Sequence, residues 1–480
     1  KKDYAEYISG NTGSQQDLWP FGISGDLPVI LAEINDEDDI DIVEWILKGH
    51  EFFRMKNLYA DLVILISRME GYNRPLSDKV RNAVAASHAR EHLNMPGGVY
   101  IIYLPDIDPR QVSVLYTAAR IVIKDSIESF KNKLKESKIV LETASTANVC
   151  RNGENSGGIG RSEHPEMGLK FFNGIGGFSE DGREYVILLG NDRRTPLPWS
   201  NIISNRDFGF IVTESGGGYT WYKNSREFKL TPWANDPVTD RQGEIFYVSD
   251  LDEKCHWSLT PMPVSGNGPY TVRHGHGYSI FEHESNGLKQ SLTLFAAMDQ
   301  PVKICIVSLK NLTERQRRLK LTYYIRPVLG VEDTRTSQYI VTRVDEISGL
   351  LLIENKFSQD FRGRNAFMAV SGKNKSYTGD RASFIGRSGN AAEPAGLAGE
   401  DLAEIVGAGI DPCAAVSCIA DAAPGEEEVI VFVLGSGESD DHAVSLVNRF
   451  LSAENALNEF EKIRSFWNEK LETLQHRTLD

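Results

Sequence analysis

The amino-acid sequence predicts a multidomain chain: a small α/β domain, then a large antiparallel β-sandwich, then a C-terminal helical linker. Three observations carry that expectation. Apolar runs alternate with helix-length patterns as far as about Leu134, short strand-like runs broken by turn residues follow to about Gly435, and the last residues place apolar side chains at helical spacing. At 480 residues the chain is also too long for one core and fits about three domains of the usual ~100–200 residues.

Residues 1–18 read as the tail of a preceding domain. Within 19–140, "LPVILAEI", "DLVILIS" and "GGVYIIYL" alternate with the helical patterns "DIDIVEWILKGHEFFRMKN" and "SDKVRNAVAASHAREHL". Strands separated by helices of that length imply a sheet that is at least partly parallel. The stretch "DPRQVSVLYTAARIVIKDSIESFKNKLKES" reads as one or two further helices, a connector. Residues 141–168, with "ASTANVCRNGENSGGIGRSEHPE", are rich in Gly, Ser and Asn and read as a flexible linker. From 169 to 435 come runs such as "YVILLG", "FGFIVTES", "EIFYVSD", "YSIFEHE", "KQSLTLFAAM", "VKICIVSLKNL" and "EEVIVFVLG". Many short strands with almost no helical pattern between them predict the sandwich. In 436–480, Leu446, Phe450, Leu451, Ala456, Leu457, Phe460, Ile463 and Trp467 fall on one helical face. That stripe needs an apolar partner, either the sandwich or a domain outside this chain.

Composition excludes several classes. A formal net charge of −15, with no basic stripe interleaved with aromatics, argues against nucleic acid as a partner. No apolar run approaches the ~18 residues that span a bilayer, and the start "KKDYAEYISG" has no hydrophobic signal region, so a cytoplasmic location is expected. That start lacks Met, which suggests a piece of a longer polypeptide. Five cysteines, mostly far apart, suggest reduced thiols and give neither a disulfide framework nor a zinc spacing. "VRHGHGY" places His274 and His276 on one side of a strand without a ligand partner at a recognised spacing, so no metal is expected. "GISGDLP" precedes its strand and lacks the Lys-Ser/Thr of a nucleotide loop, so no cofactor is expected either.

The chemistry-bearing residues concentrate between Pro196 and Tyr278. Trp199, Trp221 and Trp233 lie there with Tyr219, next to Asn201, Asn224, Arg226, Asp236, Arg273 and His274. Sugars present apolar C–H faces and a rim of hydroxyls, and their sites combine flat aromatic rings with groups able to make several hydrogen bonds. The same residues also suit the core and turns of a sandwich. Glu214, Glu227, Asp236, Asp240, Asp250 and Asp252 include enough acids for a glycosidase pair, but a linear sequence does not set their separation. In "ESGGGYTWYKNSRE" the three glycines suit a hairpin turn, and the following residues suit its second strand.

The ordered motifs "NGIGGF", "DGREYVILL", "TPLPWSNIISNRDFGFIVTESGGGYTWYKNSRE", "LTPWANDPVTD", "GEIFYVSD" and "VRHGHGYS" resemble the N-terminal sandwich of family 94 glycoside hydrolases, the inverting glycoside phosphorylases. Within that family the resemblance is to the phosphorylase-type region of cyclic β-1,2-glucan synthases. It runs from about Leu169 to Leu329, weakens after about Phe367, and departs from the family at "WSLTPMP". The earlier "LWPFGISGDLPVILAEI" and "GHEFFRMKNLYADLVILI" resemble the segment preceding that sandwich.

The resemblance implies a galactose-mutarotase-like super-sandwich followed, beyond this chain, by an (α/α)6 barrel that carries the catalytic acid and the phosphate site. It therefore implies no catalytic residue here, inorganic phosphate as a substrate of that barrel, and a parent enzyme anchored to the inner membrane by other segments. The implied partners are β-glucan, the barrel of the same polypeptide and a second copy in a homodimer. Whether Tyr219, Trp221, Asn224 and Arg226 meet glucan, the barrel or another subunit stays open. The alternatives are a module without sugar binding, or a self-sufficient mutarotase- or glycosidase-like enzyme using His274 and Glu282 as acid and base.

Overall fold

The computed structural model describes residues 4–68, 75–124, 126–136, 148–150, 168–190, 194–266, 268–359, 362–387 and 389–473. They form two compact units, one of Lys1–Thr143 with Asn355–Arg362 and Gly407–Ile410, the other of Ala144–Glu354, Gly363–Val406 and Asp411–Asp480.

In the first unit, strands β1 (Val29–Ile34), β2 (Asp61–Ile66), β3 (Val99–Tyr103) and β4 (Ala119–Ile123) lie in the order β3-β2-β1-β4. β1 pairs in parallel with β2 and β4, and β2 in parallel with β3. Helices Ile40–Met55, Pro75–Ala86 and Pro109–Ala118 make the crossovers. β2 is buried along its whole length, which its unbroken apolar run requires of a strand covered on both faces. Ile42, Val43 and Ile46 of the first helix and Val80 and Val84 of the second pack on Ile30, Ala32, Leu62 and Ile64. The stretch expected to be a connector instead holds a strand: "ARIVI" is β4, between helices Pro109–Ala118 and Ile127–Glu136. Its β-branched residues were hidden by the helical patterns on either side.

The second unit is the sandwich. Its strands are β5 (Asn148–Val149), β6 (Gly176–Phe178), β7 (Glu184–Leu189), β8 (Ser200–Ser204), β9 (Phe208–Thr213), β10 (Gly218–Tyr222), β11 (Glu244–Asp250), β12 (Cys255–Ser258), β13 (Tyr270–Gly275), β14 (Tyr278–Ser285), β15 (Leu288–Ala296), β16 (Val302–Asn311), β17 (Arg317–Ile325), β18 (Ile340–Val344), β19 (Leu351–Asn355), β20 (Asn365–Val370), β21 (Lys373–Asp380), β22 (Pro412–Ala422) and β23 (Glu427–Gly437). A ten-stranded sheet runs β18-β19-β20-β23-β16-β15-β14-β13-β7-β6, a six-stranded sheet runs β21-β22-β17-β11-β12-β5, and β10-β9-β8 form a third. The two large sheets meet where Phe246 of β11 stacks on Tyr323 of β17 at 4.0 Å and both rings meet Phe432 of β23 edge-on. β11 is buried at every position. On its far side Phe384, Ile385, Leu397 and Leu402 cover Ile245 and Tyr247.

The C-terminal apolar stripe finds its partner on the ten-stranded sheet. Leu446, Val447 and Phe450 of helix Asp440–Phe450, with Ala456 and Ile463 of helix Ala453–Glu472, pack on Phe295, Ile304, Val431 and Val433. Ser439 and Ser452 cap the two helices by accepting from the backbone N–H of His442 and Asn455.

The expectation of reduced thiols throughout is corrected. β5 pairs in parallel with β12, setting Asn148 beside Cys255, and Cys150 and Cys255 form a disulfide with their Cα atoms 4.8 Å apart. Their separation of 105 residues hides this from the sequence. The other residues of the expected linker, 141–147 and 151–167, lie outside the described residues. Cys305, Cys413 and Cys418 are free and buried, and burial pushes the Cys305 and Cys418 thiols up to about 12.

All three sheets meet at one buried carboxylate. Glu244 of β11 accepts from Lys303 Nζ of β16 at 2.8 Å, from Tyr323 Oη of β17 and Thr220 Oγ1 of β10 at 2.5 Å each, and from Thr231 Oγ1 at 2.8 Å. Burial acts to raise its pKa, but the Lys303 charge and the donated bonds outweigh it and hold the group below the usual carboxylate range. Its stabilisation is therefore present above that range and is lost as the pH falls through it toward the lowered folded value. Removing one partner of such a pair leaves a buried charge uncompensated. Lys303→Met is expected to cost about 3–5 kcal/mol in urea unfolding, and adding Glu244→Gln is expected to recover part of that loss.

Candidate functional site

The residues singled out in the sequence separate into four groups. The first is aromatic and lies on β10. Burial alternates along β10, with Thr220 and Tyr222 facing the core while Tyr219 and Trp221 face outward. Gly216–Gly218 turn the chain from β9 into β10, as Thr213 N–H donates to Gly217 O at 2.8 Å. Register sets Trp221 opposite Gly209 and Tyr219 opposite Ile211. A Cβ at Gly209 would stand 2.6 Å from Trp221 Cζ2, so only glycine leaves room for the indole to lie across β9. Trp233 closes the group: Tyr219 has its centroid 5.2 Å from Trp221 and 5.3 Å from Trp233, with tilts of 42° and 34°. At that spacing the rings touch one another and form a single apolar patch, and Ile202 of β8, 66% exposed, extends it.

The second group is a clasp between β8 and the β13–β14 hairpin. Asn201 Nδ2 donates to Gly275 O at 2.9 Å and to Tyr278 O at 2.8 Å. His274 Nε2 donates to Trp199 O at 3.1 Å, and because a carbonyl only accepts, Nδ1 is left to accept from Ser279 Oγ at 2.9 Å. Burial lowers the His274 pKa to about 4, so the ring is neutral at neutral pH. Trp199 N–H donates to Glu214 Oε2 at 2.8 Å, and Trp199 meets Tyr185 edge-on at 5.8 Å.

The third group shapes turns. Asn224 Oδ1 accepts from the N–H groups of Arg226 and Glu227, both at 2.9 Å. Asp236 Oδ1 accepts from Val238 N–H at 3.0 Å and Oδ2 from Thr239 Oγ1 at 2.6 Å. Arg226 is exposed and pairs with Glu227 at 3.4 Å. The fourth is Arg273, which bridges Glu282 at 2.7 Å and Glu184 at 3.1 Å.

These positions correct two expectations. Glu282 is engaged by Arg273 and lies opposite Thr271, while His274 lies opposite Ser279, so the two do not form an acid/base pair. β13 ends at Gly275 and His276 stands exposed in the turn, so the two imidazoles do not share a strand face. Sequence reasoning missed Glu214 and Asp240 as site residues, weighing them only among several acids. Glu214, 6% exposed, accepts from Thr195 Oγ1 and the Trp199 N–H. Asp240 Oδ2 accepts from Thr213 Oγ1 at 2.6 Å and from Ser215 Oγ. A Cβ at Gly217 would stand 2.3 Å from Asp240 Oδ1, so the glycine run admits this carboxylate as well as making the turn. In the sequence Glu214 stands two residues before that run, which alone does not set it apart from other acids.

The family description "Glycosyl hydrolase 94, supersandwich domain" matches residues 183–453. The chain is 30% identical to the cyclic beta-(1,2)-glucan synthase of Rhizobium meliloti over 96% of its own length and 17% of that protein's. It is 24% identical to the N,N'-diacetylchitobiose phosphorylase of Vibrio furnissii, over 63% of this chain and 38% of that one. It is 22% identical to the solabiose phosphorylase of Paenibacillus borealis, over 60% and 38%. The chain thus spans well under half the length of each of these relatives.

The clasp carries a pH signature. The unfolded chain binds a proton at His274 near the ordinary value of 6.5, whereas the folded chain resists it until about 4, so stability is lost as the pH falls through that window. His274→Gln removes this contribution. Its destabilisation, read from melting temperatures, is expected to be larger at about pH 7.5 than at about pH 4.5.

Proposed function

This chain belongs to glycoside hydrolase family 94, whose supersandwich domain it carries, and from that premise we propose that it is the non-catalytic region of an enzyme acting on β-1,2-linked glucan. Its roles are to support a catalytic barrel of the same polypeptide and to hold the glucan on the outer face of β8–β10. The short span of the chain relative to its relatives supports placing the reacting groups elsewhere. In the barrel, inorganic phosphate attacks the anomeric carbon while a carboxylic acid protonates the leaving oxygen, and the configuration inverts.

The observation that carries the glucan role is the patch of Tyr219, Trp221 and Trp233 on the outward side of a sheet whose inward side is fully used. Thr220 is tied to Glu244, and Tyr222 is buried and bonded through its hydroxyl to Arg364. Sequence alternation thus spends one face of β10 on folding and leaves the other for contact. An aromatic patch of this kind stacks on the C–H faces of pyranose rings without demanding a charged group of the ligand.

Calorimetric titration of the chain with β-1,2-glucooligosaccharides, with cello-oligosaccharides as the control, tests the reading. Saturable binding selective for the β-1,2 linkage is expected, weakened roughly 10-fold or more in Trp221→Ala. No heat with either sugar, or an affinity unchanged in the variant, would remove the glucan-holding role and leave the patch as a packing surface.

A further inference from the structure

A cavity of about 610 Å³ opens among the loops at the end of β8–β10, and none of Tyr219, Trp221 or Trp233 lines it. Its polar lining includes Arg194, Thr195, Glu214, Ser215, Thr239 and Asp240, and prolines such as Pro196, Pro237 and Pro261 form much of its wall. Glu214 is buried and lies inward, whereas Val238 at the rim is 90% exposed. We propose that this cavity is a binding site for a neutral saccharide of about two residues, whose hydroxyls donate to the Glu214 and Asp240 carboxylates.

The volume lies within the ~300–1,000 Å³ of small-molecule sites and admits a disaccharide rather than a polymer. Ionised carboxylates accept only, so their natural partners are hydroxyl donors. Each carboxylate is already oriented, Glu214 by Thr195 Oγ1 and the Trp199 N–H, Asp240 by Thr213 and Ser215. Both Glu214 oxygens and Asp240 Oδ1 can still take a further bond, because a carboxylate offers about four lone-pair sites, two on each oxygen. Around Glu214 the charge pattern disfavours anions, with Arg194 the cation elsewhere in the lining: burial first, and the Asp240 charge besides, raise the Glu214 pKa against the hydrogen bonds that lower it. A second negative charge beside Glu214 would meet the same opposition, so a neutral saccharide suits that end of the cavity better than a sugar phosphate. Proline fixes φ and limits wall rearrangement, which lowers the ordering cost of binding.

The proposal takes its ligand class from the carbohydrate reading above, but it uses none of the patch residues. The two can therefore fail separately.

Calorimetry of the full chain with β-1,2-linked glucobiose tests it, with glucose 1-phosphate as the anionic control. Saturable disaccharide binding is expected, with weaker binding of the phosphate. Asp240→Asn and Val238→Trp should each weaken the disaccharide roughly 10-fold or more, while Trp221→Ala changes it by less than about twofold. Val238→Trp blocks the rim at an exposed residue, so it decides the matter should Asp240→Asn lower the melting temperature. No saturable heat with the disaccharide, an affinity unchanged in Val238→Trp, or binding that requires added calcium would overturn the proposal. Loss of long-glucan binding in Trp221→Ala with the disaccharide unaffected would support both sites.

Discussion

The Glu244 carboxylate is the constraint on which the sandwich depends. A charge so buried persists only when it is matched, and the match comes from one side chain on each neighbouring layer: Thr220 of the three-stranded sheet, Lys303 of the ten-stranded sheet and Tyr323 of its own. Hydrophobic packing alone would let the layers slide, because it is non-directional. Four directed bonds to one group fix where β10 sits, and through the β9–β10 turn they fix where Glu214 and Asp240 sit.

From that fixed point the functional surface follows by alternation. Thr220 and Tyr222 face inward, so Tyr219 and Trp221 must face outward. The same hairpin begins next to Glu214, whose carboxylate receives the Trp199 N–H, and Trp199 O receives His274. Trp199, Asn201 and His274 therefore act as scaffold. They join β8 to the β13–β14 hairpin and hold the loop of Thr195 to Pro198 against the cavity. Burial keeps His274 neutral at neutral pH, so its Nδ1 accepts from Ser279 while its Nε2 donates to Trp199 O.

Much of the architecture was legible because local pattern and tertiary demand agree. The short β-type runs became the sheets, and the stripe from Leu446 to Trp467 became the face packed on β15, β16 and β23, except for Leu457, which is 46% exposed. Legibility ended where a contact joins residues distant in the chain. β4 escaped because five residues between two helical patterns carry too little period to stand out. The Cys150–Cys255 disulfide depends on the pairing of β5 with β12, which no spacing announces. Among the candidate residues, type and neighbourhood identified the aromatic patch. They did not separate the outward-facing rings from the turn-formers Asn224 and Asp236, since Asn and Asp serve both purposes. Glu214 and Asp240 were indistinguishable from other acids until the fold brought them to one cavity.

The claim that unites these observations is that carbohydrate meets this chain at the end of the sandwich built around β8–β10. Hydrogen exchange with and without β-1,2-glucooligosaccharide measures this directly, because bound ligand slows amide opening where it sits. The account predicts added protection in residues 195–199, 214–222 and 237–240, with β2 and β16 unchanged. Protection confined to the α/β unit, or none in these segments under saturating sugar, would contradict it.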